Sequence, residues 1–404
     1  MSKPRIFISI HYMEIGGAET SLLGLLQAID YSKVDVDLFV CRHSGELMPL
    51  IPVGPRLLPE VRKYASTEMS IAEVLRMGYV DVAVARLAAK WRYSRMRRRR
   101  PSQIATDIGV YQYMASAVTP HLPMINPDVE YDLAVNFCGM QDIVLDRVRA
   151  RRRAAWIHTD YRLVDTDREF DRRIWSRFDN IVSISSDVTQ SFLKVYPGLD
   201  EKIIEIENIL SPDFVRARAE IADVSVEMPG SPVLLSMGRL TYQKNFDNLP
   251  DIARRIVEKG YPDLRWYIIG YGGEEELVRS RIADAGMENH VVILGKRNNP
   301  YPYIKACDVY VQPSRYEGKS VAVREAQILG KPVVITDYPT ASSQINHGQD
   351  GLIVPMDNAG CADAIAALLA DSAAIRKLET GARAGDFGNM DEVNKFYRLI
   401  GDAE

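Results

Sequence analysis

Cysteine is scarce in this chain of 404 residues, and the four that it has are far apart and form no C-x-x-C pair. They are Cys41, Cys138, Cys307 and Cys361. This spacing excludes the common zinc and redox motifs, and the apolar surroundings of three of these residues predict buried free thiols. A chain without a disulfide framework fits a reducing compartment, so we expect a cytoplasmic protein.

Long apolar runs are also lacking. No stretch approaches the roughly 20 apolar residues of a membrane-spanning helix, and the apolar run at residues 6–10 is too short for a signal peptide. A strong charge of one sign is missing too: the net charge is −4 and the pI about 6.0, which argues against nucleic-acid binding by the whole chain. Any membrane contact should therefore be peripheral, on the inner face of the cell membrane.

Clusters of metal ligands are missing as well. Asp35 and Asp37 match a D-x-D pattern that binds divalent metals in some enzymes. They open a strand of alternating polarity, however, so we expect both carboxylates to face solvent. With no other group of His, Cys, Asp and Glu at ligand spacing, the sequence predicts neither a metal nor another cofactor.

Strand-like apolar segments alternate with helical stretches along both halves of the chain. This alternation is typical of α/β proteins with doubly wound parallel sheets, and the length favours two domains. We predict two Rossmann-like domains, residues 1–210 and 211–385, that face each other across a cleft. A segment with Pro and Gly, residues 211–231, is the predicted linker. Ligands of such sheets bind at the carboxyl ends of the strands.

Two acids lie eight positions apart after the apolar strand at residues 309–312. Glu317 falls in a polar loop, and Glu325 falls inside the helix that follows. The predicted first turn of that helix, whose free backbone amides suit an anion, comprises Gly318, Lys319, Ser320 and Val321. Acids on either side of a phosphate cradle suit an enzyme that holds a sugar at one end and a ribose at the other.

A glycine and two cations follow the first strand of the second domain. Gly238 permits a tight turn, and Asn245 is predicted to cap the next helix. Arg239 and Lys244 are placed to neutralise a diphosphate and to stabilise it as a leaving group. The alternative is that both are solvated surface cations.

Two more glycine turns follow strands. Gly16 and Gly17 lie after the first strand of the chain and would let a substrate approach the backbone closely, although they do not complete a dinucleotide-binding fingerprint. Gly270 lies after a strand of the second domain and could leave room for a flat nucleobase, which Lys296 and Arg297 could flank. Plain turn chemistry is the alternative in both places.

His158 ends a predicted strand and is followed by Thr159 and Asp160. It could hydrogen-bond a sugar hydroxyl or carry a proton near neutral pH. A purely structural histidine is the alternative.

A basic run interleaved with Trp91, Tyr93 and Met96 occupies residues 90–100. Its members are Lys90, Arg92, Arg95, Arg97, Arg98, Arg99 and Arg100. We expect contact with an anionic membrane surface. A solvated helix end and an RNA-binding segment are the alternatives, and the net charge disfavours the second.

With these residues, the chain resembles the family-4 retaining glycosyltransferases of the GT-B fold, of the type found in bacterial polysaccharide and capsule assembly. The resemblance is strongest over residues 232–356. It implies that Glu317 contacts hydroxyls of the donor sugar and that Glu325 holds the ribose. It further implies that Arg239 and Lys244 bind the donor diphosphate and that His158 approaches the transferred sugar.

The same resemblance implies a metal-independent hexosyltransferase that moves a sugar from a nucleotide-diphosphate donor, a UDP-sugar, to a saccharide acceptor. The acceptor would be lipid-linked, the anomeric configuration would be retained, and the product would enter cell-surface polysaccharide. The resemblance also implies that the helix at residues 386–404 packs back on the first domain.

One position departs from the family pattern. Many relatives have glycine, an aromatic residue and glycine after the first glutamate, where this chain has Gly318, Lys319 and Ser320. Lys319 is therefore hypothesised to favour an acidic or polar sugar. The rival functions are a nucleotide-sugar epimerase or phosphorylase on the same fold and a non-catalytic scaffold that binds a nucleotide sugar.

Overall fold

The computed structural model of the chain describes residues 3–14, 16–100, 106–107, 109–159, 161, 164–318 and 320–401. Two compact units are present. Unit 1 contains the described residues up to Ile209 and those from Asn389 onward, and unit 2 is Leu210–Gly388. Each unit has its own parallel sheet and its own hydrophobic core.

The strands of unit 1 are β1 (Arg5–Ile10), β2 (Asp35–Val40), β3 (Arg56–Leu57), β4 (Thr106–Asp107), β5 (Tyr131–Cys138), β6 (Ala150–Ile157), β7 (Val164–Asp165), β8 (Asn180–Ser183) and β9 (Ile203–Glu205). The main sheet has the order β3-β2-β1-β5-β6-β8-β9, and its neighbouring strands run parallel. β4 and β7 form a separate short pair. The strand order reverses at β1, which lies between β2 and β5, so a ligand crevice is expected at the carboxyl end of β1.

The helices up to the end of β9 are α1 (Gly17–Ala28), α2 (Arg62–Ala65), α3 (Ile71–Arg76), α4 (Val80–Arg99), α5 (Gly109–Val118), α6 (Gln141–Asp146), α7 (Arg168–Trp175) and α8 (Ser186–Val195). Local chemistry sets several of their first residues. The Ser70 hydroxyl accepts from the Glu73 amide in a capping box before α3, and the Ser185 hydroxyl accepts from the Val188 amide at the start of α8.

The strands of unit 1 are apolar because helices cover both faces of its sheet. Ile6, Phe7 and Ile8 of β1 are fully buried, as expected for a parallel sheet with no solvated face. Asp37 corrects the prediction that both acids of β2 face solvent. Its side chain is buried and accepts hydrogen bonds from the Arg56 guanidinium and the Tyr131 hydroxyl, which offset the cost of burying a carboxylate.

Unit 2 repeats the doubly wound plan. Its helices are α9 (Pro212–Ala219), α10 (Leu249–Glu258), α11 (Glu275–Asp284), α12 (Tyr301–Ala306), α13 (Val321–Ile328), α14 (Asn358–Ala370) and α15 (Ser372–Ala384). Its strands are β10 (Val233–Met237), β11 (Arg265–Ile269), β12 (Val291–Gly295), β13 (Val309–Gln312), β14 (Val333–Thr336) and β15 (Leu352–Val354). They are parallel in the order β12-β11-β10-β13-β14-β15, so the order reverses at β10.

The predicted linker at residues 211–231 is wrong in part, because it contains α9. This helix begins at Pro212 after the Ser211 cap, and its Val215 and Ala219 are buried in the core of unit 2 with Tyr301 of α12. Proline and glycine mark the ends of the segment, but the apolar positions between them form a packed helix.

The C-terminal end of the chain belongs to unit 1. In α16 (Val393–Arg398), the Phe396 ring lies 6.0 Å from the Trp156 ring of β6. The neighbouring Tyr397 hydroxyl accepts a hydrogen bond of 2.7 Å from the Asp30 amide after α1. These contacts hold the last helix on the sheet of unit 1.

The prediction of free thiols is confirmed: all four cysteines are free, and Cys41, Cys307 and Cys361 are buried. Within the part of the chain that the structure describes, no single helix is long and apolar enough to cross a membrane, although α14 and α15, bent by 93°, meet that length and composition together.

Candidate active site

Glu317 is the centre of a polar cluster in the loop between β13 and α13. Its carboxylate is 6% exposed, and Oε1 accepts hydrogen bonds from the Lys244 ammonium at 2.5 Å and the Ser314 hydroxyl at 2.6 Å. Oε2 accepts from the Gln243 side-chain amide at 3.2 Å. The bonds to a cation and two neutral donors offset the burial of this charge and hold the carboxylate in one orientation.

The glycine turns after β10 and β11 stack against each other beside this cluster. Gly238 has φ +155°, and a Cβ there would lie 2.9 Å from Cε of Lys244. Gly270 has φ +152°, and a Cβ there would lie only 1.8 Å from the Gly238 carbonyl oxygen. Both positions therefore need glycine, for backbone conformation and for space. Since β10 neighbours both β11 and β13, the turns and Glu317 lie at one edge of the sheet.

Lys244 and Arg239, the two residues predicted to bind the diphosphate, have different surroundings in the structure. Lys244 is 16% exposed and bonded to Glu317. Arg239 is exposed, and no described residue forms an ion pair or hydrogen bond with its guanidinium. The Arg239 guanidinium is therefore free to bind an anion, whereas the Lys244 ammonium already has a carboxylate partner.

Asn245 does not cap the start of α10, which corrects that prediction. It adopts the left-handed conformation with φ +61°, and its amide donates to the Pro313 carbonyl at 2.9 Å. α10 begins only at Leu249. The side-chain NH2 joins the loop after β10 to the loop after β13, and Oδ1 accepts from the Asn248 side-chain amide at 2.7 Å, so neither polar atom of Asn245 bonds an amide of α10.

A clamp that sequence reasoning missed joins the same two loops. The Arg315 guanidinium donates to both carboxylate oxygens of Asp247, at 2.9 and 2.8 Å, and lies 4.0 Å from the centre of the Tyr242 ring. A bidentate pair with a stacked ring fixes the relative position of the loops that carry Lys244 and Glu317. Nothing in the local sequence signals it, because 68 positions separate Arg315 from Asp247.

The predicted helical turn at residues 318–321 is wrong, since α13 begins at Val321. The Ser320 amide donates to the Gln344 side chain at 3.1 Å, and the Ser320 carbonyl accepts from it at 2.6 Å. The Thr340 hydroxyl donates to the Glu317 and Gly318 carbonyls. This loop is therefore held by side chains instead of by helical bonds, and the Ser320 amide is already used. Lys319 lies outside the described residues, and its roles stay predictions.

Glu325 lies in the buried interior behind the Glu317 loop. Its Oε1 accepts a hydrogen bond of 2.9 Å from the Tyr301 hydroxyl. Burial raises the pKa of Glu325 to about 7, and the Tyr301 hydrogen bond opposes this only in part. The second glutamate of the pair is therefore much more easily protonated than a solvated one.

Arg297 is held by residues of its own surroundings. Its guanidinium donates to the Tyr303 hydroxyl at 2.9 Å and to the Leu294 carbonyl at 2.7 Å. Its neighbour Lys296 lies 5.8 Å from the centre of the exposed Tyr271 ring, next to Gly270. The predicted nucleobase site thus has the Tyr271 ring and the Lys296 ammonium beside the Gly270 turn. The hydrogen bonds of Arg297 hold the loop after β12, which carries Lys296.

Unit 1 carries a second polar cluster, at the carboxyl ends of β1, β5 and β6. Nε2 of His158 lies 2.9 Å from the Phe137 carbonyl oxygen, which can only accept, so Nε2 carries the proton and Nδ1 keeps its lone pair. Burial lowers the pKa of His158 to about 4. Of the two predicted roles, this favours a neutral hydrogen-bonding imidazole over a proton carrier near neutral pH.

The Glu19 carboxylate packs directly against the glycine turn of unit 1. Gly17 is the first residue of α1, and a Cβ on Gly16 would lie 2.2 Å from Oε2 of Glu19. Oε1 of Glu19 lies 3.4 Å from Nε2 of His11, which follows β1 directly. His11 is not among the residues predicted from the sequence, although its place immediately after a central strand is a signal that points to it.

The segment that holds the Glu317 cluster also matches a known family. Residues 217–385, which contain all of the strands of unit 2 described above, match the family of glycosyl transferases group 1. This segment is a glycosyl transferases group 1 domain.

Two relatives of known name resemble the chain over part of its length. The lipopolysaccharide core biosynthesis glycosyltransferase LpsE of Rhizobium meliloti is 29% identical over 42% of this chain and 46% of its own. The UDP-Gal:alpha-D-GlcNAc-diphosphoundecaprenol alpha-1,3-galactosyltransferase of Escherichia coli is 30% identical over 31% of this chain and 33% of its own. The chain thus spans less than half of the length of these relatives.

A solved structure extends the likeness to the whole chain. The Anabaena protein HepE, crystallised with UDP and glucose, superposes with a TM-score of 0.61 at 15% identity, and 100% of each chain is covered. At such low sequence identity, the superposition shows a similarity of fold only. The predicted fold class, two Rossmann-like doubly wound domains of the GT-B type, is confirmed.

Within the glycosyl transferases group 1 domain, the structure brings Gly238, Lys244, Gly270 and Glu317 together, leaves Arg239 exposed, and buries Glu325 against Tyr301. Gly16, Gly17 and His158 belong to the cluster of unit 1. Among the described residues, no group of three or more His, Cys, Asp and Glu side chains could hold a metal ion.

Proposed function

We propose that this protein is a retaining glycosyltransferase that moves a sugar from a UDP-sugar to a lipid-linked saccharide in cell-surface polysaccharide biosynthesis. The observation that carries the proposal is the buried Glu317 carboxylate, bonded to Lys244 inside a glycosyl transferases group 1 domain. The names of the relatives support it: that of the Escherichia coli enzyme specifies UDP-Gal and a diphosphoundecaprenol-linked saccharide.

Glu317 would position the donor sugar. A carboxylate has about four acceptor positions, and described residues occupy three of those on Glu317, two on Oε1 and one on Oε2. The remaining position on Oε2 can accept a hydrogen bond from one sugar hydroxyl. Because the other bonds fix the carboxylate before any substrate arrives, this contact costs little reorganisation.

The leaving group would be stabilised by cations of the chain. Lys244 and Arg239 follow β10, so both can approach a diphosphate at that edge of the sheet. In the proposed step, the bond from the anomeric carbon to the phosphate oxygen breaks on the face where the acceptor oxygen attacks. The departing phosphate takes the acceptor proton, and the configuration is retained. With two cations supplied by the protein, we propose that no divalent metal is needed.

The other predicted residues would bind the rest of the substrates. Glu325 would accept hydrogen bonds from the ribose, and the ring of Tyr271 beside Gly270 would meet the base. In unit 1, Nδ1 of His158 would accept a hydrogen bond from a sugar hydroxyl. A cytoplasmic enzyme of this kind would meet its lipid-linked acceptor at the inner face of the cell membrane.

Incubation of the purified protein with a panel of UDP-sugars and a lipid-linked saccharide fraction tests the proposal, with the anomeric configuration of the product read by NMR. We expect transfer that EDTA does not reduce, and a loss of about 100-fold or more in kcat for Glu317→Gln. Glu276→Gln, an exposed residue of α11, is the matched control and should retain full activity.

Rival functions give different products. An epimerase would convert the UDP-sugar without any acceptor. A scaffold would bind it without transfer or hydrolysis, and binding would still raise the free energy of unfolding by about 2.7 kcal/mol at a ligand concentration of a hundred times the Kd. Binding without turnover over the whole panel of sugars and acceptors would therefore refute the transferase.

A further inference from the structure

Helix α4 is apolar on two opposite faces. One face, which includes Val82, Ala85, Ala89 and Tyr93, is buried, and the helix packs against α3 and α5. The other face is exposed: Val80 is 56%, Val84 57%, Leu87 52% and Trp91 63% exposed. These four residues, the apolar stripe, follow the spacing i, i+4, i+7 and i+11, which places them on one line along a helix.

An uninterrupted row of four exposed apolar side chains is unusual on a surface helix. Single exposed apolar residues are normal, but a contiguous patch marks a place where another apolar phase is bound. The apolar stripe runs almost directly opposite the buried face, at about 100° per residue, so it contributes nothing to the core of unit 1.

The same line of the helix continues into basic residues. Arg98 lies seven positions beyond Trp91, and Arg95 lies beside the line with its guanidinium 5.7 Å from the centre of the Trp91 ring. Arg92, Arg99 and Arg100 are exposed around this end of α4. The stripe therefore passes from apolar side chains to cations within one helix.

Carboxylates near these cations are already engaged. Asp165 pairs with Arg97, Glu169 pairs with Arg173, and Asp167 accepts from the Tyr113 hydroxyl. In the described part of the chain, no carboxylate forms an ion pair with the exposed arginines Arg92, Arg95, Arg98, Arg99 and Arg100. The free cations and the apolar stripe together fit a partner that offers anionic groups directly above an apolar layer.

We propose that α4 docks in the plane of an anionic lipid membrane. The apolar stripe would enter the boundary between head groups and acyl chains, and the arginines beyond it would bind lipid phosphates. This differs from attachment by the basic run alone, because three of the four apolar residues precede that run, and the stripe inserts instead of only approaching the surface. The inference rests on the proposed function only for the choice of membrane, since the lipid-linked acceptor is there.

Vesicle sedimentation of the full chain, without any nucleotide sugar, tests the docking separately from catalysis. The vesicles are either pure phosphatidylcholine or equal parts of phosphatidylcholine and phosphatidylglycerol. We expect binding to the anionic vesicles only. Arg95→Gln with Arg98→Gln should weaken it about 25-fold, at about fivefold for each arginine, and added salt should weaken it further.

Leu87→Ser with Trp91→Ser should weaken binding at least about tenfold, and should do so at high salt as well, because the lost interaction is hydrophobic. Ile221→Ser with Val226→Ser is the matched control, since these exposed apolar residues lie in unit 2. Arg281→Gln with Arg376→Gln, on exposed positions of α11 and α15, is the control for charge. Both controls should bind as the unchanged protein does.

Trp91 also reports insertion directly. The other tryptophans, Trp156, Trp175 and Trp266, are each at most 7% exposed, so the emission of Trp91 alone should shift to shorter wavelength on anionic vesicles. Lipids brominated in their acyl chains should quench it, and Trp91→Phe should abolish both effects.

Several results would overturn the docking. Equal binding by the Leu87/Trp91 variant and the unchanged protein would show that the apolar stripe is not inserted. A protein dimer that the same variant converts to a monomer, with no change in vesicle binding, would assign the stripe to a second copy of the chain. Stronger binding to an RNA oligonucleotide than to the vesicles would assign the arginines to nucleic acid. Loss of sugar transfer with intact vesicle binding would refute only the proposed function.

Discussion

Replacing Glu325 with glutamine removes a buried ionisable group and leaves its shape almost unchanged. The Glu325 side chain is 5% exposed, and the carbonyl oxygen of a glutamine could still accept from the Tyr301 hydroxyl. The substitution therefore isolates one quantity, the free energy of keeping a charge at this place in the core of unit 2.

The magnitude follows from the pKa of Glu325, which burial raises from 4.5 to about 7. Between these values the folded protein holds a proton that the unfolded chain has released, so the free energy of unfolding falls as pH rises. The difference between the two pKa values corresponds to about 3 kcal/mol in the free energy of unfolding. This stabilisation is fully present below pH 4.5 and is lost as the pH rises through 7. Glutamine does not titrate and escapes this loss.

Urea unfolding from pH 5 to pH 8 measures the effect, and hydrogen exchange of the β13 and β14 amides locates it in unit 2. The free energy of unfolding of Glu325→Gln, relative to that of the unchanged protein, should rise by about 2–3 kcal/mol over this range. Any constant cost of burying the new amide cancels in this difference. Glu276→Gln, at an exposed position of α11, should show no such trend.

A stability difference that does not change with pH would refute the reasoning. It would mean that Glu325 is charged in the folded state at pH 8 at no cost, and therefore that its surroundings stabilise the carboxylate far better than one tyrosine hydroxyl can. A difference that falls with rising pH would show a pKa shifted the other way.

Three further substitutions test the rest of the candidate site. Gly270→Ala places a Cβ 1.8 Å from the Gly238 carbonyl oxygen and should destabilise by about 3 kcal/mol in urea, whereas Gly273→Ala meets nothing within 4 Å and should change little. Lys244→Met leaves the buried Glu317 unpaired and should destabilise by about 3 kcal/mol; adding Glu317→Gln should restore stability but not sugar transfer. His158 has a pKa of about 4, so its titration should not shape the rate between pH 6 and 8; a break near pH 6.5 that disappears in His158→Gln would contradict this.

Local sequence patterns indicate the central strands of such sheets, because burial on both faces makes each strand of a parallel sheet a nearly continuous apolar run. The predicted strand at residues 309–312 is β13, and α13 begins at Val321, one position after the glycine-containing loop. Errors occurred where a side chain from a distant segment replaced a local bond. Gln344 accepts from the Ser320 amide, and Ser320 precedes α13 instead of lying within its first turn. The Asn245 side chain donates to the Pro313 carbonyl and does not cap α10.

The sequence by itself determined which residues follow strands and which runs are apolar, because both depend on neighbours within a few positions along the chain. It therefore placed Glu317, Gly238 and His158 at strand ends without reference to the fold. Only the tertiary structure decided which of these side chains meet. Lys244 and Glu317 are 73 positions apart and come within 2.5 Å because β10 pairs with β13. Likewise, periodicity marks two apolar faces on α4, but only packing shows that Val82 is buried and that Val84 is exposed.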